Sequence, residues 1–294
     1  MSEGTTLRLA TRASPQARTQ AEAVAAALRA TGVDTELVFV ETTGDRRQDI
    51  PLHEIGGQGV FVKEVQAAVL DGRADAAVHS AKDLPSVTHP ALTIGAFTAR
   101  RDPADVLVGR SFADLDQGAT IATGSVRRRA QLQAVRPDLQ FVELRGNIAR
   151  RLAQIPDGGA IVMAAAALAI LALDERIAER LDPERFVPAV GQGCVAVEAA
   201  AGSAALEALS RVDDPVTRRA VELERSFLAE LGTGCSLPVG AHVVGDRLHA
   251  FLAASDQLGT GPTAVAREVV ALDGRDDHAL ARASAVELLA RVGG

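Results

Sequence analysis

Leu7-Arg-Leu-Ala-Thr11 alternates apolar and polar residues, and Ser14-Pro15 follows directly. Alternation with a period of two marks a strand. Ser then Pro marks a helix start, because the serine oxygen caps exposed N–H groups and proline lacks one that would go unsatisfied. The predicted helix runs through Ala21 to Leu28, stops at Gly32, and gives way to a second strand from Glu36 to Val40. A helical crossover returns the chain to the same end of the sheet, so these strands must be parallel, and the chain is committed to an α/β fold. Open α/β sheets bind ligands beyond the carboxyl ends of their strands. Arg12 and Ser14 occupy that position. Arg12 is read equally well as a solvated loop charge.

Thr43 to Gly59 is polar and glycine-rich, and long for a connection, which makes it a mobile lid or a disordered segment. An amphipathic helix is predicted from Phe61 to Leu70, closed by Gly72, then a strand from Ala74 to Val78 that runs into His79-Ser-Ala-Lys-Asp-Leu-Pro85. Lys82 beside Asp83 offers a cation for an anionic ligand and a carboxylate for proton work. The same dipeptide also fits an exposed ion pair of little consequence. His79 reads as a packed or capping histidine, and no second ligand stands at metal spacing, so no metal site is expected.

A strand from Leu92 to Ala99 leads to a crossing at Arg100–Pro103, and a second α/β pattern fills Val106 to Pro188. Within it, Ile121–Ser125 is a strand end with a helix cap, Leu139–Leu144 a strand, and Arg145–Arg151 the opening of a helix. Ala160 to Leu173 is an unbroken apolar run of 14 residues. A membrane helix needs about 20, so this is a buried strand entering an alanine-rich helix. Pro188–Cys194 is a glycine-rich turn before a strand, Val195–Glu198, that carries the chain back to the first domain. Helices at 204–209 and 215–231, antiparallel strands at 237–244, 248–253 and 264–272, and a last helix at 278–292 complete the chain. No repeat with a period of 20 to 50 residues is evident. The domains expected are 1–99 with 194–212, 100–193, and 213–294.

Seven arginines and two acidic residues lie between Ile121 and Leu152, in a chain whose net charge is -7. Such a run is either a solvated face or a grip for carboxylates or phosphates, which guanidinium forks bind in pairs. The arginines recur at two strand-to-helix junctions, where helix N-termini already attract anions. With no Trp, no Tyr and an acidic balance, base stacking and phosphate neutralisation are excluded as general functions, and a small polyanion fits better than nucleic acid. Two cysteines, Cys194 and Cys235, are too few for a disulfide framework and indicate a reduced, cytosolic protein without a secretory segment. Cys235 stands in Gly-Thr-Gly-Cys-Ser-Leu-Pro238, between an apolar helical pattern and an alternating strand, so it is a displayed thiol or an incidental small hydrophobe.

Taken together, seven stretches carry a resemblance. They are Leu7–Pro15, Gly59-Val-Phe-Val-Lys-Glu64, Ala77-Val-His-Ser-Ala-Lys-Asp-Leu-Pro85, Thr123-Gly-Ser-Val-Arg-Arg128, Leu144-Arg-Gly-Asn147, Val187-Pro-Ala-Val-Gly-Gln-Gly193 and Gly234-Cys-Ser-Leu-Pro238. In this order the chain resembles the porphobilinogen deaminase, or hydroxymethylbilane synthase, family. The resemblance implies two periplasmic-binding-protein-like α/β domains plus a small α+β C-terminal domain with a three-stranded antiparallel sheet. It implies a cytoplasmic, monomeric transferase of tetrapyrrole (haem and porphyrin) biosynthesis. That enzyme condenses four porphobilinogen molecules head to tail into linear hydroxymethylbilane and releases ammonia, with neither nucleic acid nor membrane as partner. It further implies a dipyrromethane cofactor on a thioether at Cys235, held by Lys82, Thr123, Ser125, Arg127, Arg128, Arg145 and Gly146. Arg12, Ser14 and Arg151 would hold substrate carboxylates, Asp83 would be catalytic, Asp45 would belong to the lid and Phe61 would lie near the cofactor.

The sequence departs from the family pattern at four places. Ile170 replaces an arginine, Gly124 a common serine, Gln58 a common lysine, and Ala199-Ala200 the usual Cys-Arg pair. The loss at Ile170 leaves a weakened or non-catalytic family member as an alternative. A two-lobed anionic-solute-binding protein is a second, which would require neither Lys82-Asp83 nor Cys235.

Overall fold

The computed structural model describes residues 6–42, 61–232, 237–255 and 262–293. Asp45, Gln58 and Cys235 lie outside the described residues.

The described chain divides into two compact units. The first, Met1–Arg101 with Cys194–Arg219, is built on a five-stranded sheet. Its strand β1 (Leu7–Arg12), second from one edge, runs parallel to β2 (Thr35–Val40) on one side and β3 (Ala76–Ser80) on the other. Ser14 caps the helix Pro15–Ala30 by accepting the Ala17 N–H at 3.4 Å, and Gly32 just past its end takes φ 84°. The sheet continues through β10 (Val195–Ala200), antiparallel to both β3 and β4 (Leu92–Phe97), so the strand after the glycine-rich turn does return to the first sheet. Both faces are covered, as parallel strands require. Leu7, Leu9, Val24, Leu28 and Val197 pack on one side, and Ala10, Val40, Val65 and Val69 on the other, beneath the helix Lys63–Leu70.

The second unit, Asp102–Gly193 with Ala220–Gly294, contains two sheets. One has the order β7 (Gln140–Val142), β6 (Thr120–Ala122), β8 (Ala160–Ala164), β5 (Asp105–Gly109), β9 (Ile177–Arg180). Here β6 is parallel to β7 and β8, whereas β5 is antiparallel to β8 and β9. This repeats the plan of the first sheet, strand for strand, although no sequence repeat announces it. The apolar run from Ala160 resolves as a fully buried strand and the helix Ala165–Ala169, as its composition predicts. The short strand β9 was not expected.

The other sheet of this unit is antiparallel, β11 (Val239–Val244), β12 (Arg247–Ser255) and β13 (Pro262–Ala271). Leu223 and Phe227 from the helix Pro215–Glu230, Leu231 just past its end, and Ala281, Ala285 and Leu288 from the helix Asp277–Gly293, pack with Leu248, Ala250 and Leu252 of β12. Removing a side chain as enclosed as Phe227 should cost about 3–5 kcal/mol. Two mixed α/β sheets and a three-stranded antiparallel sheet are the fold class the sequence implies.

Candidate functional site

In the first unit a pocket opens beyond the carboxyl ends of β1 and β3. It is lined by Arg12, Ser14 and Gln20 from the first strand–helix junction, Phe61 and Val62 before the second helix, and His79, Ser80 and Asp83 beyond β3. The chain comes here from three separate stretches because β1 and β3 are neighbours and parallel, so both end on the same side. The Arg12 guanidinium lies 3.9 Å above the centre of the Phe61 ring, a cation–π contact that fixes the direction of the cation. Gln20 donates to the Ser80 hydroxyl at 3.0 Å, tying the first helix to the end of β3. Ala81–Asp83 forms a single 3-10 turn, which leaves the Asp83 side chain half-buried at the pocket wall. Lys82, next to it, is half-buried and lies outside that lining.

Behind the pocket His79 is packed, 5% exposed, with Nε2 3.3 Å from the Glu198 carboxylate on β10. Glu198 is itself buried and accepts from Gln66 at 2.8 Å. A buried carboxylate needs such partners. Sequence reasoning missed Glu198, Gln66 and Gln20; the signal in Glu198 is a charge inside an otherwise apolar strand, Val-Ala-Val-Glu-Ala-Ala200.

In the second unit the arginine junction is built differently. Ser125 caps the helix Val126–Val135 by accepting the Arg128 N–H, and Thr123 accepts the Ser125 N–H. A capping hydroxyl accepts with its oxygen and keeps its own proton for another acceptor. The next two side chains turn inward onto Asp105. Arg127 Nη1 donates to Asp105 Oδ2 and to the Val187 carbonyl, each at 2.7 Å, and Arg128 reaches Asp105 Oδ1 at 2.8–3.0 Å and the Val162 carbonyl at 3.0 Å. Burial pushes the Asp105 pKa up, but the two guanidiniums outweigh it and hold the carboxyl well below the usual range. Burial lowers the Arg127 pKa, partly offset by Asp105. Two guanidiniums against one carboxylate leave one excess positive charge in a water-poor place, where attraction for an anion is stronger than in water. Asp105 too was missed, and its signal is again a lone acid at the start of an apolar strand.

At the following junction Asn147 caps the helix Ile148–Leu152. Gly146 takes φ 104°, and a Cβ there would stand 2.7 Å from Arg150 Cδ, so only glycine fits. Arg151 Nε donates to the Gly146 carbonyl at 2.8 Å. Arg145 Nη1 is buried with no hydrogen-bond partner among the described residues. A buried guanidinium donor left unmet is costly and suits a carboxylate arriving from outside. Gly124 is closely walled, since a Cβ would lie 2.9 Å from the Leu144 carbonyl oxygen; a serine there would require the backbone to move. Ile170 stands half-buried at the end of the helix Ala165–Ala169. Among the described residues, no group of three or more His, Cys, Asp or Glu could hold a metal ion, and no helix is long and apolar enough to cross a membrane.

One sheet with a carboxylate at its ligand-binding end, and a second whose strand ends gather cationic donors, define an α/β protein equipped for an anionic small molecule. Residues 7–208 match the family model for the dipyromethane cofactor binding domain of porphobilinogen deaminase, and residues 218–261 match that family's C-terminal domain. The chain is 48% identical over 266 residues to a porphobilinogen deaminase of Acidothermus cellulolyticus, covering 86% of this chain and 80% of the relative. It is 47% identical over 254 residues to one of Stenotrophomonas maltophilia, covering 83% and 84% respectively. The chain belongs to the porphobilinogen deaminase family.

Proposed function

We propose that this chain joins four porphobilinogen molecules head to tail, releasing one ammonia at each condensation and taking up one water as the product leaves as linear hydroxymethylbilane, as a transferase of tetrapyrrole biosynthesis. The observation that carries this reading is the pocket beyond β1 and β3, which brings Arg12, Ser14, Phe61 and Asp83 together in a member of this family.

Each condensation breaks the aminomethyl C–N bond of a porphobilinogen, and the nitrogen leaves as ammonia with an added proton. A C–C bond then forms to the free α-carbon of the terminal pyrrole, and that carbon gives up its proton, so protons balance. Loss of ammonia leaves an electron-poor methylene-pyrrole cation. The Asp83 carboxylate stabilises that charge, an effect enlarged where water is thin, and carries the proton. Arg12, held over Phe61, and Ser14 orient substrate carboxylates.

A dipyrromethane bound through a thioether to Cys235 supplies the pyrrole end on which the product grows. Its acetate and propionate groups match the donor set of the second unit. The unmet Arg145 Nη1, the excess charge at Arg127–Asp105–Arg128, and the Thr123 and Ser125 hydroxyls would hold it. By the family resemblance Lys82 and Gly146 belong to the cofactor set and Arg151 to the substrate set. We assign the lid role to Asp45 and read the protein as a cytoplasmic monomer made of the three domains the sequence suggests.

Mass spectrometry of the denatured chain tests this reading. A mass excess of two pyrrole units, absent from Cys235→Ala, together with ammonia release from porphobilinogen, is the expected result. An unmodified chain that stays inert after incubation with porphobilinogen would overturn it.

A further inference from the structure

Two buried carboxylates of the second unit meet at one short turn. Asp105 is 1% exposed and Glu224, on the helix Pro215–Glu230, is 0% exposed. Glu224 Oε2 accepts the Gly191 N–H at 2.8 Å. Its Oε1 accepts the Val243 N–H on β11 at 2.9 Å and lies 3.3 Å from His242 Nδ1. The next residue along the turn, Gln192, is 1% exposed and donates through Nε2 to Asp105 Oδ1 at 2.9 Å and to the Pro103 carbonyl at 2.7 Å. One carboxylate therefore grips the backbone of the turn, and the turn's side chain grips the other carboxylate.

Burying an ionised carboxylate is costly even when every lone pair is met, and an apolar replacement often serves stability as well. Two linked ones point to a demand for position rather than for stability. What they position follows from the chain. Asp105 is the common acceptor of Arg127 and Arg128. Glu224 joins the helix that ends at Glu230 to β11, which starts at Val239, and Cys235 stands between these two elements in sequence.

We propose that Glu224 and Gln192 are positioning residues for cofactor loading: they set the elements flanking Cys235 and the Arg127–Arg128 pair in one frame before the dipyrromethane arrives. This rests on the function proposed above. A ligand anchored covalently at one end and ionically along its length loads quickly only if the two kinds of anchor already stand at the right separation.

The test uses the full chain, produced without porphobilinogen and then given it, with the two-pyrrole mass gain of the denatured chain followed over time. Glu224→Gln keeps the volume but turns an amide N–H₂ toward a backbone N–H. Gln192→Met keeps the volume and removes both donors. At a temperature where circular dichroism shows each variant folded, each single change should slow loading on the order of tenfold to a hundredfold. The double variant should be no slower than the slower single, because both act on one chain of contacts. Variants that melt earlier but load within about twofold of the parent at that temperature would reduce the network to a structural role and overturn the proposal, as would singles whose effects multiply. If Glu224→Gln fails to fold, Gln192→Met decides by the same loading rate. A parent chain that never gains the mass overturns the proposed function and this inference with it. A parent that loads normally beside equally fast variants overturns this inference alone.

Discussion

After β1 and after β6 the chain does the same thing: a serine, Ser14 or Ser125, caps a helix beyond the end of a strand that is parallel to both neighbours. After β3 and after β8 it does not. The first sheet continues into Lys82-Asp83 on a 3-10 turn, and the second into the run Ala164–Ala167 and an apolar helix. The second sheet instead carries a buried carboxylate, Asp105, on the antiparallel strand β5, paired to two guanidiniums in the interior. One plan thus supports two kinds of acid. Asp83, proposed above to meet a reacting cation, stays at a pocket wall, and Asp105, which holds two arginines, is sealed inside.

The comparison breaks most readily at Asp105. Asp105→Ala leaves a buried guanidinium without its counter-charge, so a loss of about 3–5 kcal/mol is expected. Denaturant unfolding checks this; an unchanged midpoint would mean that Asp105 is not the interior anchor. Asp83→Asn should do the opposite, lowering kcat about 10²- to 10³-fold while the unfolding midpoint and the cofactor mass stay as they were. Near-normal turnover in that variant would remove Asp83 from the reaction and erase the contrast.

A smaller effect concerns acid sensitivity in the second unit. His249 on β12, opposite His242, is 4% exposed, and neither ring nitrogen has a hydrogen-bond partner among the described residues. Burial lowers its pKa, opposed by Glu184 at 3.8 Å. Because the folded value lies below the unfolded value of about 6.5, the unfolded chain takes up the proton first as pH falls. The stability from a neutral His249 is therefore complete above that value and is lost as pH drops through it. Melting midpoints should decline from about pH 7 to about pH 5.5, and His249→Phe should flatten the decline. A parallel decline in that variant would assign the effect elsewhere.

The smallest expected change lies at Ala172, which takes φ 53° after the helix Ala165–Ala169, with the Leu173 N–H returning to the Leu168 carbonyl at 3.0 Å. This left-handed position costs a Cβ-bearing residue about 1 kcal/mol. Ala172→Gly should recover roughly that amount in denaturant unfolding.

Much of this was legible in the residues. Caps at Ser14 and Ser125, the buried strand from Ala160, and the three antiparallel strands at the end all follow from local pattern, because each element's signal lies within its own residues. The duplication was not legible, since the two sheets share strand order and direction but few side chains at matching places beyond the capping serines. The strand β9, Ile-Ala-Glu-Arg180, is too short and too polar to stand out. The arginines were seen as a cluster, but their inward turn was not: it depends on Asp105, 22 residues before Arg127 in sequence, and a distance of that kind leaves no periodicity to read. Glu198 and Glu224 were hidden for the same reason, since their partners arrive from remote segments.

The strand β10 has a consequence for synthesis. Among the described residues it alone joins β4 to the rest of the first sheet, and it is made about a hundred residues after β4. A nascent chain that has passed Arg101 therefore presents β3 as an open edge, and the turn bearing Asp83 remains beside unsatisfied backbone amides until residue 200 has left the ribosome. Exposed edges invite wrong partners, so the long middle of translation is when the first sheet stands most open to mispairing.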